Sequence, residues 1–215
     1  MSAGRTPSQN QTDTYPSDCE ILEECKARVR EKSSRRPTSE MQRALNRAKE
    51  IKLLLLDVDG VLTDGTLFYS GSTEEAKSFN TQDGFGLRLL QEAGVDVGII
   101  TARKSEVVAR RSAELKMRYT YQGAPNKNQA FKEIVRNSGL RPFQIAYMGD
   151  DWLDLVLLQQ AGLALVPANG VPEVREVAHF ITPRSGGCGA VRDACDLILR
   201  AQGKTEALLQ KYRNR

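Results

Sequence analysis

The chain has 215 residues, 40% of them hydrophobic and 27% charged, with a net charge of +4. That length suits one domain of ordinary size with an appendage, and the apolar fraction suffices for a real core. No run approaches the ~20 apolar residues of a membrane span, and the N-terminus lacks the apolar stretch of a signal peptide, so no membrane contact is expected.

Met1 to Tyr15 is polar and is expected to be disordered. Asp18 to Lys32 reads as a charged helix, broken at Ser33-Ser34-Arg35-Arg36-Pro37. Ser39 to Lys49 reads as a second helix leading into the first strand. Residues 1–49 thus form an N-terminal extension, partly disordered or helical. Its basic cluster, Lys26, Arg28, Arg30, Lys32, Arg35 and Arg36, has no interleaved aromatics, so a solvated face is expected rather than a nucleic-acid site. Asp18, Glu20, Glu23 and Glu24 argue against an organelle transit peptide. Cys19, Cys25, Cys188 and Cys195 lack C-x-x-C spacing, and His179 is the sole histidine. Reduced thiols in a cytoplasmic protein fit this better than a zinc site.

From Ile51 onward short apolar strands alternate with amphipathic helices. Strands are expected at Leu53–Asp57, Val95–Thr101, Arg118–Gln122, Ile145–Gly149, Leu163–Val166 and His179–Ile181. Helices are expected at Gly86–Glu92, Ser105–Leu115, Asn128–Ser138, Trp152–Ala161, Pro172–Val177 and Ala190–Ala201. This rhythm predicts a three-layer α/β/α, Rossmann-like fold with a mostly parallel sheet. Thr66–Tyr69 and Ala76–Asn80, flanking Ser70-Gly71-Ser72-Thr73, break the rhythm and read as a projecting β-hairpin. One α/β domain is expected over 50–202, with a basic C-terminal tail over 203–215.

The strongest chemical signal is Leu53-Leu54-Leu55-Leu56-Asp57-Val58-Asp59-Gly60. A buried strand ends in two acids that point the same way, at the sheet edge where such folds bind ligands. Carboxylates this close repel unless a cation or a reacting group needs them. One can attack phosphorus as a nucleophile and the other can shuttle a proton. Gly149-Asp150-Asp151-Trp152-Leu153-Asp154 gathers further acids after a second strand and suits Mg²⁺. Thr101 ends a third strand, and Lys127 begins a helix after Gly123-Ala124-Pro125-Asn126. Taken singly, each has a plainer use. Asp57 and Asp59 suit a turn, Asp150, Asp151 and Thr101 suit helix caps, and Lys127 suits solvent.

In this order, nucleophile and acid, hydroxyl, lysine and acid cluster, the residues resemble the haloacid dehalogenase superfamily of phosphohydrolases over roughly residues 51–201. Asp59 separates the chain from the dehalogenases proper, which have no alkoxide to protonate. The gaps from Asp64 to Thr101 and from Thr101 to Lys127 are too short for a cap domain, so a capless member is expected. Asp57-Val58-Asp59-Gly60-Val61-Leu62-Thr63-Asp64-Gly65, Phe79-Asn80-Thr81-Gln82-Asp83-Gly84, Tyr121-Gln122-Gly123 and Gly186-Gly187-Cys188-Gly189-Ala190-Val191-Arg192 resemble the 3-deoxy-D-manno-octulosonate 8-phosphate (KDO 8-phosphate) phosphatase family.

The resemblance implies hydrolysis of KDO 8-phosphate to KDO and phosphate, in lipopolysaccharide sugar synthesis, through an aspartyl-phosphate. It implies Asp57 as nucleophile and Mg²⁺ ligand, Asp59 as general acid/base and, through its carbonyl, a metal ligand, and Asp150 as the remaining protein ligand. Asp151 and Asp154 are expected behind these ligands. Thr101 and Lys127 would hold phosphoryl oxygens, Arg103 the sugar acid, and Asp83 would face the site across the hairpin base. The family forms tetramers in which hairpins meet and a neighbour's C-terminal tail reaches the site, so a homotetramer with a small phosphorylated sugar acid as substrate is implied. This chain reads Thr101-Ala102-Arg103 where the family commonly has Thr-Gly-Arg, Gln82 where it commonly has Arg, and Cys188 where its Gly-rich tail commonly has Arg. A nine-carbon sugar acid 9-phosphate such as N-acylneuraminate 9-phosphate is the alternative substrate. A non-catalytic interaction protein on the same fold is the alternative of another class.

Overall fold

Leu53–Leu56 forms β1, and all four side chains are buried. An unbroken run of apolar residues is what a central parallel strand needs, because both of its faces are covered. In the computed structural model, which describes residues 38–69 and 75–214, β1 pairs in parallel on both sides. The segments Met1–Tyr15 and Asp18–Lys32, the basic cluster, Cys19, Cys25 and the turn Ser70–Thr73 lie outside the described residues.

The elements run α1 (Ser39–Ala48), β1, β2 (Phe68–Tyr69), β3 (Glu75–Ala76), α2 (Thr81–Glu92), β4 (Asp96–Ile100), α3 (Glu106–Glu114), β5 (Tyr119–Tyr121) and α4 (Lys127–Ser138). Then come β6 (Ile145–Met148), α5 (Leu155–Leu158), β7 (Leu163–Val166), α6 (Pro172–Glu176), β8 (Phe180–Ile181), α7 (Ala190–Ala201) and α8 (Thr205–Arg213). The six-stranded sheet has the order β5-β4-β1-β6-β7-β8, and every pairing in it is parallel. Leu54 and Leu56 pack on one face with Ala44 of α1, Leu87 of α2 and Val191 of α7. Leu53 and Leu55 pack on the other with Phe131 and Ile134 of α4 and Leu157 of α5. The period of two along β1 thus divides the core into the expected three layers.

β2 and β3 pair antiparallel, Phe68 opposite Ala76, as the expected hairpin. Apart from it, only α2 lies between β1 and β4, and only α3 and β5 lie between β4 and α4. There is no cap domain among the described residues. None of their helices is long and apolar enough to cross a membrane.

Three boundaries differ from the sequence reading. α2 starts at Thr81 rather than Gly86, because the Asn80 carboxamide caps it, accepting from Gln82 N at 2.8 Å. Its glycines are used for close approach: a Cβ on Gly86 would lie 2.9 Å from Arg192 Cδ on α7. The expected helix over 152–161 is instead a 3₁₀ turn, Trp152–Asp154, followed by the short α5. The compact unit begins at Thr38, ahead of the expected boundary at residue 50, and α8 lies within the expected C-terminal tail. α8 is held on α2 by Tyr212 edge-on to Phe85 and by Lys211 and Tyr212 on Glu92, at 2.6 and 2.8 Å.

Candidate active site

The strand order brings the carboxyl ends of β4, β1 and β6 side by side, and the chemistry-bearing residues follow those ends. Asp57 follows β1, its amide donating to the Met148 carbonyl at 2.9 Å. Beyond it the chain turns tightly, with the Val61, Leu62 and Thr63 amides converging on the Val58 carbonyl at 3.3, 2.9 and 3.1 Å. Gly60 sits in that turn with φ +89°, and a Cβ there would overlap the Asp150 carboxylate. The glycine therefore serves both the backbone twist and the approach of the acid from β6. Thr101 follows β4, buried, its amide donating to the Tyr121 carbonyl at 2.9 Å. Lys127 opens α4, also buried. These segments surround a cleft of about 170 Å³ lined by Asp57, Asp59, Thr101, Arg103, Lys127 and Asp150, with Asp151 and Leu153 at its edge. A larger groove of about 680 Å³ runs between α1 and the β8 edge, and none of its lining residues follows the end of β1, β4 or β6.

At the cleft floor Asp154 organises its neighbours. It is fully buried. Its Oδ1 accepts from Lys127 Nζ at 2.7 Å and from the Tyr147 hydroxyl at 2.6 Å. Its Oδ2 accepts from the amides of Asp150 and Asp151 at 2.9 and 3.2 Å. Lys127 Nζ also lies 3.0 Å from Asp57 Oδ2. Burial lowers the pKa of this ammonium, but Asp57 and Asp154 outweigh it and hold it above the usual lysine value. Burial, aided by Asp154, pushes the Tyr147 phenol well up, so it remains a donor.

Asp57 is pushed up to about 7, by burial and then by the charge of Asp154, against the opposing pull of Lys127. Asp150 is also pushed up to about 7, by burial and then by Asp57 and Asp154. Single oxygens of Asp57, Asp150 and Asp154 lie within 4.8 Å of one another. Three carboxylates face one ammonium, an excess of negative charge that suits a divalent cation. Asp154 has both oxygens occupied by donors. Asp150 Oδ1, by contrast, is buried and has no hydrogen-bond partner among the described residues. An orphaned carboxylate oxygen beside Asp57 fits an oxygen-seeking metal such as Mg²⁺.

Asp59 lies at the outer side. Its Oδ1 meets Lys77 Nζ at 2.5 Å, and its Oδ2 lies 3.7 Å from Arg103 Nε. Lys77 also contacts Glu75 at 3.0 Å, and Arg103 Nη2 lies 3.3 Å from the same carboxylate. Asp151 lines the cleft and accepts from the Trp152 amide at 2.7 Å. Of the residues expected at the site, Asp83 alone is elsewhere. It is buried in α2, and its oxygens accept from Gly189 N at 3.2 Å and Arg192 N at 2.7 Å. Both oxygens fasten the start of α7, and Asp83 is not among the residues that line the cleft. Its elevated pKa reflects burial, partly offset by those amides.

Sequence reasoning missed Lys77, Tyr147 and Asn169. Asn169 ties the Gly-rich segment to the β1 turn, donating to the Gly60 carbonyl at 3.1 Å and accepting from Gly186 N at 2.7 Å. Its position just past β7 was the available signal. Tyr147 lay hidden in an apolar strand, and nothing local distinguished Lys77 from a solvated lysine.

Residues 120–192 match the family model for haloacid dehalogenase-like hydrolases. The chain is 41% identical over 162 residues to the 3-deoxy-D-manno-octulosonate 8-phosphate phosphatase KdsC of Salmonella typhi, covering 75% of this chain and 86% of that protein. It resembles the crystal structure of the same phosphatase from Moraxella catarrhalis, in complex with magnesium ion, phosphate ion and KDO. That TM-score is 0.78, at 39% identity, over 80% of this chain and 99% of that one. The Yersinia pestis phosphatase structure matches with a TM-score of 0.75, at 41% identity, over 76% of this chain and 88% of that one.

Proposed function

The chain belongs to the 3-deoxy-D-manno-octulosonate 8-phosphate phosphatase family of haloacid dehalogenase-like hydrolases, and on that footing we propose how its cleft carries out the reaction. The protein is a Mg²⁺-dependent phosphatase that converts KDO 8-phosphate and water to KDO and phosphate. An Asp57 oxygen attacks phosphorus, and the bond to the sugar oxygen breaks. Asp59 gives its proton to the departing alkoxide. Water then attacks the aspartyl-phosphate, Asp59 takes back a proton, and phosphate leaves Asp57. Thr101 and Lys127 offset charge on the phosphoryl oxygens. Asp57, Asp150 and the Asp59 carbonyl would hold Mg²⁺, which would supply neutralisation of charge on the phosphoryl group. Asp154 orients Lys127 and, with Asp151 beside it, shapes the Asp150 turn.

The observation that carries these roles is the convergence of Asp57, Asp59, Thr101, Lys127 and Asp150 on one cleft. At about 170 Å³ that cleft suits a phosphoryl group and its first carbons, and the rest of the sugar acid extends over the rim. Arg103 is the partner for the substrate carboxylate, since a guanidinium matches it in a bidentate fashion. Two exposed apolar side chains, Leu153 at the cleft (62%) and Phe68 on the hairpin (63%), support a homotetramer in which neighbours cover them. A cytoplasmic location is supported by the free thiols Cys188 and Cys195.

Initial rates on KDO 8-phosphate, N-acetylneuraminate 9-phosphate and simple sugar phosphates, with and without Mg²⁺, test the reading. A preference of ~100-fold for KDO 8-phosphate, about 2.7 kcal/mol of transition-state discrimination, is expected. An equal preference for the nine-carbon substrate reassigns the sugar. Turnover unaffected by chelation overturns the metal's role, and light scattering at the mass of a monomer overturns the tetramer.

A further inference from the structure

Lys77 lies just past β3, at the base of the hairpin, and its side chain is only 1% exposed. A lysine is rarely buried this far unless it is paired, and this one is paired twice. Its ammonium lies 2.5 Å from Asp59 Oδ1 and 3.0 Å from Glu75. The Asp59 side chain is itself 21% exposed. It projects from a turn, and no other hydrogen bond to its carboxylate is seen among the described residues, apart from the long Arg103 contact on Oδ2. A short carboxylate with one anchored oxygen is limited to one orientation, whereas a free one samples several rotamers. Anchoring Oδ1 leaves Oδ2 as the oxygen available to the cleft.

We propose that Lys77 is a positioning residue, whose buried ammonium holds one oxygen of Asp59 so that the other faces the oxygen leaving phosphorus. This rests on the reading of Asp59 as the proton donor. Glu75 gives the arrangement its charge balance. When Asp59 carries a proton, Lys77 keeps a carboxylate partner and is not left as an unpaired buried charge. The hairpin therefore contributes to proton transfer, although it lies outside the strand ends that carry the phosphoryl site.

Leaving groups separate this role from a structural one. The phenolate of p-nitrophenyl phosphate departs without a proton, whereas the sugar alkoxide of KDO 8-phosphate needs one. With saturating Mg²⁺, Lys77→Met is expected to lower kcat on KDO 8-phosphate by ~100-fold, within the usual worth of a placed general acid. On p-nitrophenyl phosphate it is expected to lose less than about 3-fold, with KM on both substrates little changed. Lys77→Arg, which retains a cation, is expected to recover at least a tenth of the lost rate, and it keeps the test open if the Met variant melts early. Equal losses on both substrates, or no loss on either, overturn the proposal. Asp59→Asn serves as the reference: if it shows the split and Lys77→Met does not, only the role of Lys77 falls. If Asp59→Asn shows no split, the proton-donor reading falls and the proposal with it.

Discussion

The floor of the cleft and its rim are built in opposite ways. At the floor, Asp57, Lys127, Asp150 and Asp154 come from strand ends and a helix start that the sheet fixes, and Asp154 alone accepts four hydrogen bonds. At the rim, Arg103 is 43% exposed, Leu153 is open to solvent, and the hairpin holds Asp59 through one lysine. The floor is preorganised for a phosphoryl group, which every candidate substrate shares. In the proposed reading the rim meets the part of the substrate that differs. Substitutions at the floor should therefore remove chemistry from all substrates, and substitutions at the rim should change which substrate is preferred.

The largest effect is expected at Asp57. Asp57→Asn removes the proposed nucleophile and should lower phosphate release by more than roughly 10⁴-fold on every substrate. The same variant should melt higher than the parent in EDTA at pH 8, because the native fold disfavours a charge on Asp57. Higher stability with no turnover is the signature of a strained functional site. Undiminished turnover would remove the aspartyl-phosphate mechanism.

Asp154→Asn comes next. However the carboxamide turns, its NH₂ faces donors, either Lys127 and Tyr147 or the Asp150 and Asp151 amides. Breaking a buried charged network of this kind costs about 3 kcal/mol, or ~150-fold if it falls wholly on the transition state. Rates on KDO 8-phosphate and p-nitrophenyl phosphate should fall together. A loss confined to one substrate would show that the floor also selects the sugar.

The third effect is in Mg²⁺ affinity. Asp57 and Asp150 titrate near 7 in the folded protein and near 3.8 when unfolded. Their folded values are raised, so the stability they contribute to the metal-free protein is present below pH 3.8 and lost as pH rises through 7. Bound Mg²⁺ needs both ionised. At pH 6 it must displace protons, and at pH 8 it need not, so affinity should be roughly 100-fold weaker at pH 6 than at pH 8 if both protons leave. The Mg²⁺-induced rise in Tm should grow across that interval. In Asp57→Asn the slope should halve. A flat response would show that neither acid is a ligand.

The same division governs how far the sequence could be read. β1 was legible because Leu53–Leu56 has no polar break, and α7 because its apolar residues, Ala190, Val191, Ala194, Leu197 and Ile198, recur at helical spacing. Asp57, Thr101, Lys127 and Asp150 were legible because each follows a strand or opens a helix, so topology alone brings them together. Asp83 was expected at the site from the resemblance, across the hairpin base, while its hydrogen-bond partners, Gly189 and Arg192, are more than a hundred residues away in sequence. Lys77 was not legible for the same reason: its burial depends on Asp59 and on the fold of the hairpin, and neither leaves a local pattern. Rim residues owe their roles to contacts across distant segments, and periodicity does not record those.

The smallest effect is expected at Arg103, and it tests the rim directly. The guanidinium stands beside Asp59 and Glu75 but is largely open to water. Its hydrogen bonds to a substrate carboxylate compete with solvent, so a contribution of about 1.4 kcal/mol, near 10-fold, is appropriate. Arg103→Ala should raise KM for KDO 8-phosphate by about that factor. It should change kcat by less than about 3-fold, because Lys77 retains its hold on Asp59. p-Nitrophenyl phosphate, which has no carboxylate, should be hydrolysed as by the parent. If both substrates lose rate equally, Arg103 acts through Asp59 and belongs with the floor. If KM rises for the sugar acid alone, selection and chemistry occupy separate halves of the same cleft.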